Sequence, residues 1–520
     1  MIFDKLLCMS EIIFETAIFL LRILVFFLQR VKTLNFLFNF FQSFFNLILI
    51  LFLFVLAKTA RKNPLSSHPL IFKLKEYRNT VISIARLAIP ITIGQLGLVL
   101  MGFADVVMLG RYNTISMSSA GVGNAVFFLF SLIGIGTLYA VSTIISIAEG
   151  EGKPQQAIPV FFSSLWVSII LSAGLMGLNL VLYYNFDWFG QTPAISELAK
   201  EYLWIVNFSL PALLFFNNGK QVMDGLGKTQ ISMYVTFFGL LLNVVLNDAL
   251  IFGKYGIAEM GMAGAAWATV IARYSMAFLM LAWTWFHPRF IALKKMQSEV
   301  KSYVFSIFRI GFPVGFTYFF EIAAFSYALI LAGRISELHS GAHQIAINLA
   351  SITYMFVLGI SAASSIIVGN YYGAKDAIGV RKAGFAAIGL TIAIELVFAI
   401  LFMVFNKEIP LIYTDDVKLL AMTPALIVLA AFFQISDGLQ AVGAGALRGI
   451  KDTKITGIIA LVAYWVFMMP GAYYLCFELN MGIEGIWIAF VVGLSFAATL
   501  LLHRFNYKTK AKRLVFEDES

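Results

Sequence analysis

Residues 86–111 read RLAIPITIGQLGLVLMGFADVVMLGR, and residues 309–334 read RIGFPVGFTYFFEIAAFSYALILAGR. Arg86, Pro90, Gly110 and Arg111 of the first stretch return as Arg309, Pro313, Gly333 and Arg334 of the second, each 223 positions on. Three further matches keep the same order at nearly the same offset. Gly152-Lys153 is answered by Gly373-Ala-Lys375, and Gly225-Leu-Gly-Lys-Thr229 by Gly449-Ile-Lys-Asp-Thr453. Met260-Gly-Met-Ala-Gly-Ala-Ala-Trp267 is answered by Met481-Gly-Ile-Glu-Gly-Ile-Trp487. Chance likeness between apolar helices does not preserve order and offset together, so the chain reads as an internal duplication.

The halves are built for a bilayer. The chain is 60% hydrophobic and 12% charged, whereas a soluble domain carries about 25% charged residues. A membrane-crossing helix needs roughly 20 apolar residues. Twelve such spans are expected from residue 80 onward: 82–110, 118–148, 157–184, 198–220, 229–253, 261–286, 303–333, 342–368, 382–405, 418–446, 454–476 and 483–503. The fold class expected is an all-α integral membrane protein, a twelve-helix bundle of two six-helix lobes. The N-lobe takes residues 75–286, a cytoplasmic inter-lobe loop 287–302, the C-lobe 303–505 and a cytoplasmic tail 506–520. Six spans per half leave both halves in one orientation, related by an axis along the membrane normal. Short loops leave no room for a soluble catalytic domain.

The loops on one side hold 25 Lys and Arg; those on the other hold five, Arg111, Lys254, Arg334, Lys407 and Lys418. Positive charge stays in the cytoplasm, which places both ends of the core there and the protein in the plasma (inner) membrane as a multi-pass chain. The net charge of +9 is then topological, and no basic stripe with exposed aromatics suggests a nucleic-acid partner. Cys8 and Cys476 give neither a disulfide framework nor a metal site, and the histidines at 68, 287, 339, 343 and 503 lack ligand spacing. Walker A, dinucleotide and GxSxG motifs are absent, so neither an enzyme nor an organic cofactor is expected.

Residues 1–66 form a Phe-rich hydrophobic extension that repeats nothing in the core. Leu34 to Ala57 is long enough to span and Glu11 to Leu28 is a shorter candidate, too long together for a simple signal peptide. The alternatives are one or two extra helices or a start placed upstream of the natural one, the second being preferred.

Carboxylates inside a span are costly to keep, which makes each a candidate site. Asp105 lies about 28 Å along the first span from Arg86, in its outer half, and Pro90 offers a bend in the same helix. Glu321, about 18 Å beyond Arg309, falls near the midplane, as does Asp437, about 16 Å from Arg448. Asn243 and Asn247 are four apart and face one way, so with Asp105 they can supply oxygens for Na⁺ or tune a proton site; plain interhelical bonds are the alternative. Thr269 adds a further oxygen. Asp248 points about 100° away. Arg273 is expected to tie helices together or partner an acid, and Glu395 has no assigned role.

With these residues in place, the chain resembles the multidrug and toxic compound extrusion (MATE) family, in its NorM-type branch. The resemblance covers residues 75–505. It rests on Ala88-Ile-Pro90 leading to Met101-Gly-Phe-Ala-Asp105, on Gly225-Leu-Gly-Lys-Thr229, on Gly261-Met-Ala-Gly-Ala-Ala-Trp-Ala-Thr269, and on Gln434-Ile-Ser-Asp437 leading to Leu447-Arg-Gly-Ile-Lys-Asp-Thr453. It implies a two-lobed, V-shaped bundle exporting bulky, often cationic compounds against Na⁺ or H⁺. Asp105 resembles the family's first-helix carboxylate with Pro90 its bend proline, and Asn243, Asn247 and Thr269 match an amino-lobe cation cluster. Some members carry Asp where this chain has Asn247. Glu321 and Asp437 resemble the paired carboxyl-lobe acids of the NorM-type branch, which favours that branch over the DinF-type.

The function expected is therefore a secondary active multidrug efflux antiporter, working as a monomer, in which one set of acids holds either the coupling ion or the cationic drug. The alternative within the superfamily, a lipid-linked oligosaccharide flippase, needs several cations in its cavity, whereas Arg273 stands against three acids. The duplication does not copy these acids. Asp105 falls opposite Ala328, and Glu321 opposite Leu98. Two lobes with different chemistry are expected.

Overall fold

The computed structural model describes residues 69–296, 302–510 and 514–516. The hydrophobic extension expected over residues 1–66 lies outside them, as do parts of the 287–302 loop and of the 506–520 tail. Every regular element among the described residues is helical. The first half contains α1 (Pro69–Tyr112), α2 (Thr114–Gly150), α3 (Ala157–Tyr184), α4 (Pro193–Asn207), α5 (Leu210–Gly225), α6 (Gln230–Phe252) and α7 (Gly261–Phe286). A short α8 (Pro288–Lys294) follows. The second half contains α9 (Val304–Ile335), α10 (Glu337–Gly373), α11 (Ala377–Val404), α12 (Val417–Gly449), α13 (Thr453–Glu478) and α14 (Gly482–Lys508).

Eleven of these helices are long and apolar enough to cross a membrane. The twelfth expected span, 198–220, is instead split into α4 and α5, of 15 and 16 residues. The chain turns at Phe208-Ser209, and Pro211 stands in the first turn of α5, where its missing N–H costs no helical hydrogen bond. Arg273 closes the break from α7. Its Nη1 donates to Ser209 Oγ at 2.7 Å, and its guanidinium lies 4.9 Å from the Phe127 ring centroid on α2. The counterpart in the second half, α12, runs unbroken for 33 residues past its internal Pro424.

Elsewhere the duplication reaches down to the caps. α2 and α10 each have 37 residues and begin 223 positions apart. Asn113 caps α2, its Oδ1 accepting from Ile115 N at 2.7 Å and from Ser116 N, the counterpart of His339 N, at 3.4 Å. Ser336, 223 residues on, caps α10, its Oγ accepting from His339 N at 3.3 Å. Different side chains thus satisfy the same orphan donors. α3 and α11 are 28 residues each.

One buried core is formed by α1–α8 with the start of α9, and a second by α9–α14. The halves also cross over: α9 packs on α2, and α1 on α10. Backbones approach closely along these crossings because small residues lie there. A Cβ on Gly136 of α2 would stand 2.6 Å from Gly315 Cα of α9. At the equivalent place in the second half, a Cβ on Gly359 of α10 would overlap Thr92 of α1. α13 departs from regular geometry over Val462–Met468 and Tyr474–Glu478, where it widens to π-helix on either side of Pro470.

Candidate functional site

The first-half cluster is assembled from three helices. Asp105 on α1 is half-buried, while Asn243 and Asn247 on α6 and Thr269 on α7 are buried. Asn247 Nδ2 donates to Asp105 Oδ1 at 2.6 Å, and Thr269 Oγ1 donates to Asp105 Oδ2 at 3.1 Å. Asn247 Nδ2 also reaches Asn243 Oδ1 at 3.2 Å, and Asn243 Nδ2 reaches Thr269 Oγ1 at 3.4 Å. All four predicted residues therefore share one network. Asn247 Oδ1 is buried there with no hydrogen-bond partner, an acceptor left over beside a carboxylate. Arg273 stands one turn beyond Thr269, within electrostatic reach of Asp105. Asp248 faces elsewhere and pairs with Lys254 at 2.7 Å. Pro90, fifteen residues before Asp105, is contained in α1 without breaking it.

In the second half, Glu321 on α9 and Asp437 on α12 are both buried and within electrostatic reach of each other. Tyr354 of α10, Gln440 of α12 and Tyr464 of α13 face the Glu321 carboxyl. Tyr464, which lies in the first π-helical stretch of α13, donates its hydroxyl to Gln440 Oε1 at 3.0 Å. Thr317, Tyr318, Glu321, Tyr354, Gln440 and Arg448 line a common cavity. Asp437 Oδ1 has no hydrogen-bond partner, nor does the Tyr354 hydroxyl. Because Asp437 and Gln440 are three apart on α12, both point to the same face.

The two clusters remain separate. The first is a closed ring of amide, hydroxyl and carboxylate; the second is a set of acids and phenols with acceptors to spare. Sequence reasoning did not pick out Tyr354, Tyr464 or Gln440. It also passed over Lys220 and Asp224, a buried pair 2.9 Å apart at the end of α5, although their spacing of four was visible. Ser232 Oγ donates to Asp224 Oδ1 at 3.4 Å. This pair braces the turn after Gly225, where Gly227 takes φ 72°. Arg448, also buried, donates from Nε to Ser365 Oγ at 3.1 Å and lies 4.9 Å over the Tyr139 ring of α2.

Comparison with known proteins gives a consistent picture. The family model MatE matches twice, over residues 90–247 and 313–474, two starts that are again 223 apart. The chain is similar to the multidrug resistance protein NorM of Photobacterium profundum, 32% identical over 448 residues, covering 84% of this chain and 97% of that one. The probable multidrug resistance protein NorM of Pasteurella multocida is 34% identical over 442 residues, covering 81% and 92%. Among solved structures, the eukaryotic MATE transporter AtDTX14 superposes with a TM-score of 0.76 at 18% identity, covering 84% of this chain and all of that one. A MOP superfamily transporter from Pyrococcus furiosus gives a TM-score of 0.71 at 21% identity, covering 84% and 97%. At such identities the structural likeness speaks for the fold alone.

Proposed function

The chain belongs to the MatE family of membrane transporters, and on that premise we propose that it is a secondary active multidrug efflux antiporter, exporting organic, often cationic compounds in exchange for Na⁺ or H⁺. The observation that carries the reading is the excess of buried acids over buried basic groups in the second half. Glu321 and Asp437 are buried together, and Asp437 Oδ1 lacks a partner. The buried basic residues are already engaged, Lys220 with Asp224 and Arg448 with Ser365. Arg273 is held by Ser209. Glu321, Asp437 and Glu395 stand buried in this half against one buried guanidinium, Arg448, which lines the Glu321 cavity, so the balance of buried charge favours a cation over an anionic lipid-linked sugar.

The cycle follows from competition for the same acids. A cationic compound held near Glu321 and Asp437 is favoured while they are charged. A proton or Na⁺ arriving from outside neutralises them, removes the attraction and releases the compound outward. The neutralised protein returns inward-facing, and the ion leaves to the cytoplasm. Coupling requires only that each ligand prefer one conformation over the other. Asp105, with Asn243, Asn247 and Thr269 around it, offers a second place for the ion, and Pro90 a place for α1 to bend.

In this reading both ends of the core face the cytoplasm, as the bias of Lys and Arg among the loops suggests. One chain supplies both lobes, residues 75–286 and 303–505, so the transporting unit is a monomer. The test is ethidium accumulation in cells expressing the protein, with and without Na⁺. Lowered accumulation supports export and its Na⁺ dependence names the ion; accumulation equal to that of empty cells rejects the reading.

A further inference from the structure

Glu395 is not accounted for by the cycle above. It lies in the second half of α11, is 1% exposed, and neither carboxylate oxygen has a hydrogen-bond partner. A charged group is not retained in such surroundings without a counter-charge or a proton. What stands against it is informative. α12 turns Gln434, Asp437 and Gly438 toward α11, positions three and four apart on one face. A Cβ on Gly438 would lie 3.0 Å from Thr391 Cγ2 and 3.1 Å from Glu395 Cγ, so the glycine is what lets the Glu395 side chain approach α12. Gln434 Nε2 donates to the Glu395 backbone carbonyl at 3.5 Å, and its Oε1 accepts from Thr353 Oγ1 of α10 at 3.0 Å. Asp437, next to this contact, feels the charge of Glu395 and has its own unpartnered Oδ1.

We propose that Glu395 and Asp437 form one subsite for a small monovalent cation, Na⁺ or H⁺, in which Glu395 is a coupling carboxylate alongside Glu321. The inference rests on the antiporter reading and deepens it. Three unmet acceptor atoms on two adjacent carboxylates, with no basic side chain paired to Glu395 among the described residues, make a cation the ligand that fits. The other titratable groups facing the pair are Glu321 from α9, Tyr354 from α10 and Tyr464 from α13. None of them brings a positive charge. When one cation sits between Glu395 and Asp437, Asp437 no longer attracts the compound bound near Glu321, which links the subsite to release.

The experiment uses the full chain in lipid vesicles, following ethidium transport driven by a Na⁺ gradient at fixed pH and, separately, by a pH gradient without Na⁺. Glu395→Gln keeps the shape and removes the charge; Glu395→Asp keeps the charge. The expected result is that Glu395→Gln raises the half-saturating concentration of the driving ion by about tenfold, a change of about 1.4 kcal/mol. Glu395→Asp stays much closer to the parent. The arm in which the shift appears identifies the cation. An unchanged half-saturating concentration in Glu395→Gln overturns the subsite, as do equal losses in Glu395→Gln and Glu395→Asp. Absence of gradient-driven transport in the parent protein is a different failure, that of the antiporter reading. Should Glu395→Gln fail to insert, carbodiimide labelling of Glu395 in the parent decides. Labelling that falls with added Na⁺ or with rising pH supports the subsite, and labelling indifferent to both rejects it.

Discussion

Gly150 and Gly373 stand 223 residues apart, and each lies against the backbone of the other's helix. A Cβ on Gly150 would overlap the Asn370 carbonyl of α10, and a Cβ on Gly373 would overlap the Ile147 carbonyl of α2. Ile147 and Asn370 are themselves 223 apart, so the contact is exchanged onto itself by the duplication. Nearby, Thr143 Oγ1 and Ser365 Oγ are hydrogen-bonded at 3.0 Å across the same pair of helices. The two halves of the chain thus meet through backbone at one end of α2 and α10, where any side chain would wedge them apart.

From this contact follows a steric prediction. Gly150→Val or Gly373→Val should destabilise the protein by about 1–3 kcal/mol, the usual cost of overpacking. Thermal unfolding in detergent should show the loss, together with slowed transport. Gly121→Ala, at a position with nothing within 4 Å of the added carbon, is the control and should leave both unchanged.

The first-half ring makes Asp105 the acceptor of two buried donors. Asp105→Ala leaves the Thr269 hydroxyl without an acceptor in the ring and removes one of the two acceptors of the Asn247 amide, an expected cost of about 1–3 kcal/mol. A melting curve that does not move would show that the ring is not formed.

Asn247→Asp tests the chemistry of the same ring. A second carboxylate 2.6 Å from Asp105 is tolerated only with a cation between them, since like charges so close disfavour joint ionisation. Cation affinity should tighten by about tenfold, roughly 1.4 kcal/mol, as read by ion titration of transport. An unchanged affinity would leave the ring a structural brace.

Arg273 serves the break between α4 and α5. Arg273→Lys retains the charge but loses the planar group lying over Phe127 and reaching Ser209. Arg and Lys are not interchangeable at such a site. A loss of about 1.5–3 kcal/mol is expected, the worth of a hydrogen bond to a charged group, measured as a fall in melting temperature.

Much of this architecture was legible in the residues. The 223-residue offset anticipated the paired helices, and their caps, Asn113 and Ser336, fall at equivalent places although neither was read from the sequence. Asp105, Asn243, Asn247 and Thr269 were recognisable together since polar side chains are few inside spans. The break at Phe208-Ser209 was hidden, because Pro211 looks no different in the sequence from Pro90 or Pro424, which lie inside unbroken helices. Tyr354 and Tyr464 were hidden for a related reason. Among 20 tyrosines, facing an acid or facing lipid is decided by helix rotation, and in α13 by π turns that shift the face. Glu395 was visible as a buried acid, but its approach to Asp437 depends on Gly438, whose role emerges only when α11 and α12 are packed.

The central claim is that the acids of the second half couple ion entry to export, and its most direct test is gradient-driven ethidium transport in vesicles reconstituted with the parent protein, Glu321→Gln or Asp437→Asn. The account predicts transport by the parent under a Na⁺ or pH gradient and its loss in both variants, with normal membrane insertion. Parent-level transport in both variants would contradict it.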